Sequence, residues 1–428
     1  MKYSVRITLF ALFSFSVVGP SSVRGTEGEV GLSSSPLSLE HVLVVVQRDN
    51  PEIKAARERW RAFAARVSQA ATPTKPRVDF ERMDAPRGDH VWTDAGERNL
   101  VISQELPFPT TLYFMGQRAR QEAKAAESAF HSKEHDVLSR AKQAYARLFL
   151  SHHAIEIFKE YVNLMGQFSK VAEAKYAAGK ASQIDALKAQ VELSKMLNEL
   201  VTLQQEKEIN EALLNTLLNR PPGSLLGRPI DPDPRPLAVS LSELEAEAVI
   251  ARPDLREAAF IVDKSRTQVT LSRSDYLPDL MLQYRQRNRV NGTDSHDAMV
   301  GVTVPLWFWK QGALVREARA ERDMAQAEYQ TLKNQTLFDV KSFLVKAQTA
   351  QRLVDLYQTS VLPQAEHALK ITEASYRADR MGFLELLDAV RSLLQFRLEH
   401  YEHLAQFEQF KAELERVVGV RVVTKEAR

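Results

Sequence analysis

Two periodicities take turns along the chain, and the whole alternation occurs twice. The helical one is the longer. Apolar residues follow three-four spacing through Leu138, Ala141, Tyr145, Leu148, Ile155, Phe158, Tyr161, Met165, Phe168 and Ala172, which lines one helix face. After a short break the spacing resumes at Leu187, Val191, Leu197, Leu200, Ile209, Leu213 and Leu217. A later stretch repeats it with Phe383, Leu386, Val390, Leu393, Tyr401, Leu404, Phe407, Phe410, Leu414 and Val417. The outgoing helices are expected to start near Met115 and Gly312 and to run on the order of 60 residues, about 90 Å at 1.5 Å per residue. Pro363 is expected to kink the second of them. Helices of this length do not share one globular core; they pack sideways as a rod or tube.

Ahead of each long helix the period drops to two. Val78-Asp79-Phe80-Glu81 alternates, and Asn99 to Leu106 alternates again after a polar loop. In the second copy the alternating runs are Leu280 to Arg285 and Ala298 to Val304. Strands are therefore expected at about 77–84, 98–107, 279–289 and 297–305, each with one apolar and one polar face. Aromatic residues gather around them: Phe80, Trp92, Phe108, Tyr284, Trp307, Phe308 and Trp309. A membrane barrel carries aromatic girdles at its two interfaces; the same alternation also suits an ordinary sheet packed on helices. Four strands are too few to close a membrane barrel, so membrane strands would require several chains.

The duplication has a constant offset. Leu39 and Leu241, Pro51 and Pro253, and Pro76 and Pro278 each lie 202 residues apart, and Tyr176 and Tyr376 lie 200 apart. The first repeat spans 37–220, with helices at about 51–72, 115–177 and 182–219. A connector rich in Pro and Asp occupies 221–240. The second repeat spans 241–417, with helices at about 253–275, 312–377 and 382–417, and a tail covers 418–428.

Each long helix breaks at a related turn, Tyr176 to Leu187 and Tyr376 to Leu387. Gly179 and Asp379 tolerate the left-handed conformation that closes a helix. Ser182 followed by Asp185 has the arrangement of a capping box, and Gly382 followed by Glu385 is its weaker form. Asp185, Glu385 and Asp388 would sit in any case in the favourable first turn of a helix. Were several copies of the turn to meet around an axis, the same carboxylates would form a ring that attracts cations. Arg377 and Arg380 could then pair with them and hold a mouth shut.

Composition narrows the class. With 26% charged and 44% hydrophobic residues, and only 16 Gly and 18 Pro, the chain has the make-up of long helices. The net charge of +2 gives no reason to expect nucleic acid. The absence of Cys excludes disulfides, thiolate metal sites and a lipid-anchored amino-terminal Cys. Lys2 and Arg6 followed by the apolar run Ile7 to Val18 read as an export signal over 1–25, with a linker over 26–36. No later stretch is long and apolar enough for a transmembrane helix. There is no phosphate-binding Gly-rich loop and no nucleophile elbow, so no enzyme and no cofactor are expected. His131 with His135, His152 with His153, and His400 with His403 make pairs without a third ligand, so no metal site is assigned.

Taken together, these motifs resemble the TolC-like outer-membrane efflux family over about 37–418. The resemblance rests on Asn50-Pro51-Glu52, the Pro76 and Pro278 corners, the Val302-Thr303-Val304-Pro305-Leu306 exit and the Tyr-x-x-Gly turn followed by Asp. Leu387 to Leu394 looks like the family's second return helix. It implies a mainly α fold with a small β part, built as a duplicated helix–strand–strand–long helical hairpin unit. It also implies a homotrimer whose strands form a 12-stranded barrel in outer-membrane lipid, continued by a periplasmic coiled-coil barrel. The strand loops would face outside. The turns would form the periplasmic gate and meet an adaptor protein coupled to an inner-membrane pump. Asp185, Tyr376, Glu385 and Asp388 match the gate region, and Tyr176, Gly179, Ser182, Arg377, Asp379 and Arg380 are further candidates at the gate or tip. The chain departs from the family in having Asp379 where Gly is usual and Glu385 where Asp is usual. Ser103-Gln104-Glu105-Leu106-Pro107 and Gly179-Lys180-Ala181-Ser182 look most like the cobalt-zinc-cadmium branch. The function so implied is passive conduction of heavy-metal cations out of the cell. The alternatives are a drug or type I secretion duct of the same family, or a soluble periplasmic coiled-coil adaptor or scaffold.

Overall fold

The alternating runs pair into a single antiparallel sheet, in the order β1 (Arg77–Met83), β2 (Glu97–Leu106), β3 (Asp279–Arg289) and β4 (Ser295–Thr303). The computed structural model describes residues 36–85, 88–232, 237, 239–290 and 292–422. The export signal over 1–25, nearly all of the 26–36 linker, parts of the connector and the end of the tail lie outside the described residues.

The registers put odd-numbered residues of all four strands on one face and even-numbered residues on the other. The odd face carries the ion pairs Arg77–Asp79, Arg285–Glu81, Arg287–Asp297 and Arg289–Glu97. The even face is a belt of Val78, Phe80, Leu100, Ile102, Leu280, Leu282, Val300 and Val302, with Phe80 74% and Val300 71% exposed. β1 and β4 are open edges within the chain. The seam between the two repeats is itself a strand pairing, β2 with β3, from Glu97↔Arg289 to Leu106↔Leu280.

Each repeat enters its strands through two short helices. In the first, α1 (Leu39–Asp49) gives way to α2 (Pro51–Ala70). Asn50 caps α2: its side-chain oxygen accepts from the Glu52 and Ile53 N–H groups at 2.9 and 3.3 Å. Its amide donates to the Leu217 carbonyl at 2.9 Å, tying this entry to the far end of the repeat. Pro51 occupies the first turn, where no N–H is needed.

Beyond β2, α3 (Pro109–Ala177) runs unbroken for 69 residues, about 100 Å, and α4 (Gln183–Leu217) returns beside it. The second repeat has α5 (Leu241–Ala251), α6 (Pro253–Ser274) and α7 (Phe308–Leu356), and returns through α9 (Phe383–Val418). The long helices start at Pro109 and Phe308, earlier than Met115 and Gly312; at Pro109 the missing proline N–H suits a first helical turn.

Pro363 coincides with a wider turn of the helix. A π-helical segment, Tyr357–Val361, precedes α8 (Leu362–Arg377), which holds Pro363 in its first turn. The wider turn absorbs the missing proline N–H without ending the helix.

The core is distributed along the rod. Phe130, Tyr145 and Leu148 of α3 pack against α1 and the end of α4. Leu244 and Ala248 of α5, Val340 and Leu344 of α7, and Leu414 and Val417 of α9 form the corresponding cluster in the second repeat. A third cluster, with Tyr161, Met165, Phe168, Tyr376, Leu386 and Val390, binds the two hairpins together near their turns.

Candidate functional site

The two turns lie side by side at the pole opposite the sheet, and their backbones are nearly the same. At the first, Lys180 N–H bonds the Lys175 carbonyl at 2.8 Å and Gly179 N–H bonds the Tyr176 carbonyl at 2.9 Å, with Gly179 at φ 69°. This is a Schellman closure. At the second, Arg380 N–H bonds Ser375 at 2.9 Å and Asp379 N–H bonds Tyr376 at 3.3 Å, with Asp379 at φ 55°. Asp379 thus adopts the left-handed conformation in place of the usual glycine, with the same pair of closing hydrogen bonds.

Cations from the first repeat compensate that strain. Lys175 donates to both the Asp379 carboxylate and the Tyr376 carbonyl, and its ammonium lies 4.2 Å from the centre of the Tyr376 ring. Lys180 approaches the same carboxylate at 3.6 Å. The Lys175 hydrogen bond holds the Asp379 carboxyl below its ordinary pKa.

The restarts differ from a reciprocal capping box. Ser182 accepts from the Ile184 N–H at 3.0 Å, one position earlier than a box requires. Gly382 has no side chain to offer, and the Glu385 carboxylate folds back over it so closely that a Cβ there would lie 2.7 Å from the carboxylate oxygen. A true capping box occurs elsewhere, between Ser240 and Glu243 at the start of α5.

The two related tyrosines have opposite fates. Tyr176 is 46% exposed and Tyr376 only 4%. The Tyr376 ring meets Phe383 edge-on at 5.9 Å. Burial, reinforced by Asp185 and Asp379, raises its phenol pKa. Asp185 is half-buried, and Arg377, Arg380, Glu385 and Asp388 are exposed.

Within the chain the turn carboxylates do not pair with Arg377, which instead bonds Glu373 of its own helix at 2.6 Å. The clasp between hairpins is made by residues that local pattern did not single out. Arg391 of α9 grips Glu192 of α4 through Nε at 2.8 Å and through a second N–H from Nη2. That grip lowers the pKa of Glu192, which is 8% exposed. The signal available was an opposite charge at matching heights of the two return helices, 199 residues apart.

The aromatic candidates fall at several heights. Trp92 lies in the loop between β1 and β2, and Phe80 stands on the even face near that loop. Tyr284 is in the middle of the belt, its hydroxyl 2.8 Å from Nδ1 of His296. Phe108, Trp307, Phe308 and Trp309 mark the opposite end, where strands give way to long helices, with Trp307 and Trp309 5.4 Å apart.

His153 and His135 are drawn into packing, whereas His131 is exposed beside Glu134. His153 is buried, bonds Asp231 of the connector at 2.9 Å and stacks on Tyr401 at 4.2 Å. Burial lowers the pKa of His135 and His400, and lowers His152 to about 4. Among the described residues no three His, Asp or Glu side chains converge as a metal site.

A sheet with one apolar face, joined to helices about 100 Å long that close at a charged pole, defines a subunit of an outer-membrane channel. The chain belongs to the outer membrane efflux protein family, which it matches over residues 42–220 and 244–420, one stretch in each repeat. It is 24% identical over 401 residues to the cobalt-zinc-cadmium resistance protein CzcC of Cupriavidus metallidurans, covering 90% of this chain and 91% of that one. Its fold is similar to the outer membrane protein VceC of Vibrio cholerae, with a TM-score of 0.77 at 17% identity, covering 90% of this chain and 97% of the other. It is equally similar to CusC, with a TM-score of 0.78 at 16% identity over 94% and 96% of the two chains. The protein is accordingly an efflux channel component of the cell outer membrane with a long periplasmic helical part. The family is one of outer membrane efflux proteins, and CusC forms a transmembrane channel.

Proposed function

We propose that three copies of the chain form a passive exit duct for heavy-metal cations. Divalent ions of the cobalt, zinc and cadmium type are the expected cargo. The observation that carries the cargo is the similarity to CzcC along nine-tenths of the chain. The unpaired edges of the sheet support an assembly of several copies. Two unpaired edges and an exposed apolar face cannot rest in lipid as they stand, since lipid offers the backbone no hydrogen bonds. Pairing β4 of one copy with β1 of the next removes every edge, and three copies give twelve strands. The loops after β1 and β3 then face outside, and the turns form a periplasmic mouth that meets an adaptor and, through it, an inner-membrane pump. Tyr376, Asp379 and the clasp of Arg391 on Glu192 hold that mouth closed, while Asp185, Glu385 and Asp388 line it. Energy comes from the pump; the duct performs no chemistry.

Growth of a deletion strain on cobalt, zinc and cadmium salts, beside a panel of drugs, tests the cargo. Sensitivity to the metals supports the proposal, and sensitivity to drugs alone replaces it with a drug duct. Extraction as a heat-modifiable trimer tests the assembly, and a monomer in the periplasmic wash would overturn it.

A further inference from the structure

The charges of the sheet are distributed unequally between its faces. Every carboxylate of the four strands, Asp79, Glu81, Glu97, Glu105, Asp279 and Asp297, lies on the odd face. Arg77, Arg285, Arg287 and Arg289 lie there too, each paired with one of them. The even face carries no acid, yet it holds two arginines. Arg82 and Arg98 are direct register partners, in a row completed by Asn288. Two like charges opposite each other across strands destabilise a sheet unless something anionic lies between them. Among the described residues neither arginine joins an ion pair. Arg98 is exposed; Arg82 lies 5.5 Å from the Trp92 ring centre and donates to the Trp92 carbonyl.

The position of this row matters as much as its charge. It follows directly on the row of Phe80 and Leu100, at the loop end of the apolar belt. With the even face toward lipid, it stands where acyl chains end and headgroups begin.

We propose that Arg82 and Arg98 bind the phosphate of a lipid headgroup in the outward leaflet, with Trp92 flanking the site. This rests on the barrel reading above, which turns the even face to lipid. Guanidinium groups suit the task, since each presents paired N–H donors to a phosphate. The phosphate removes the repulsion between the arginines and fixes the height of the barrel in the membrane.

Native mass spectrometry of the full-length protein, extracted in mild detergent and incubated with diphosphorylated or dephosphorylated lipid A, tests the site. The wild type should retain the diphosphorylated form about tenfold better. The R82Q/R98Q pair should lose that preference, R98Q alone should lose roughly threefold, and R98K, which keeps the charge but not the paired donors, should lose less than R98Q. Equal retention of the two lipids by the wild type, or an unchanged preference in the double variant, would overturn the proposal. So would full displacement of the lipid by millimolar inorganic phosphate, which would make this a free-anion site. Conductance in phosphatidylcholine bilayers separates the site from the barrel. Equal conductance in wild type and variant leaves the mass-spectrometric result to decide on the site, whereas failure of the wild type to form channels overturns both readings.

Discussion

Replacing Arg391 with Gln removes the cationic half of the clasp between α4 and α9. Glu192 is left with a carboxylate that only 8% of its surface exposes to water. Two charge-assisted hydrogen bonds are lost, each worth about 1.5–3 kcal/mol when fully shielded. The Arg391 side chain is 50% exposed, so screening reduces the sum to about 2 kcal/mol. That loss falls on the contact between the first and second hairpins. If the closed mouth depends on this contact, the closed-to-open equilibrium shifts by about 30-fold per subunit. Single-channel recording in planar bilayers reads the shift as a longer fraction of time in the high-conductance state. The double variant E192Q/R391Q should recover most of the closed state, because a neutral amide pair no longer strands a charge. An open fraction for R391Q within twofold of the wild type would refute the reasoning and move the closure elsewhere.

Asp379→Asn keeps a residue that tolerates the left-handed turn but removes the charge that Lys175 and Lys180 hold; residence in the open state should rise, and in planar bilayers an unaltered gating pattern would sink the idea. The Asp379 pKa is lowered, so its stabilisation is present above the ordinary carboxylate range near 4 and is lost only as pH falls through the lower folded value. Conductance should therefore stay level from about pH 8 to about pH 5, and opening within that window would contradict the assignment. Tyr145→Phe removes a hydroxyl that donates to the Leu37 carbonyl at 2.7 Å and accepts from the Ile230 N–H at 2.8 Å, so thermal unfolding should report a loss of about 1 kcal/mol. Deleting Gln358 takes out the extra residue of the π-helical segment; the chain should still form heat-modifiable oligomers on gels but gate differently, because the second outgoing helix loses its one irregular turn.

Local pattern carried the elements well where a single face was at stake. Alternation at Val78 to Glu81 and at Leu280 to Arg285 lies within β1 and β3, and three-four spacing lies within α3, α4 and α9. It did not carry partners distant in sequence. Nothing near Asp379 announces Lys175, because the contact needs the two hairpins to arrive at the same pole. For the same reason Arg377 was an attractive partner for the turn carboxylates on proximity alone, while the structure gives it to Glu373 one helical turn away. Ser182 has the spacing of a capping box, but its hydroxyl takes the N–H of Ile184 and leaves Asp185 free for another role. The response to Pro363 was also beyond local pattern, since a proline in a long helix can be met by a bend or by a wider turn. Asp379 in the left-handed region was the departure from glycine that most obscured the turn, yet the backbone closes as it does at Gly179.

The strand pairing between β2 and β3 has a consequence for how such a tube comes together. It is a contact between the two halves of the duplication, and it has the same antiparallel form as the β4-to-β1 contact proposed between copies. A half-chain supplying only one hairpin would need six separate molecules to complete the circle. Covalent fusion turns alternate encounters into intramolecular ones, governed by the high effective concentration of tethered partners. In the proposed trimer, only three molecules then have to find one another. The fused chain also lets its halves differ: one has the glycine turn and an exposed tyrosine, and the other has an aspartate turn, a buried tyrosine and a π-helical joint.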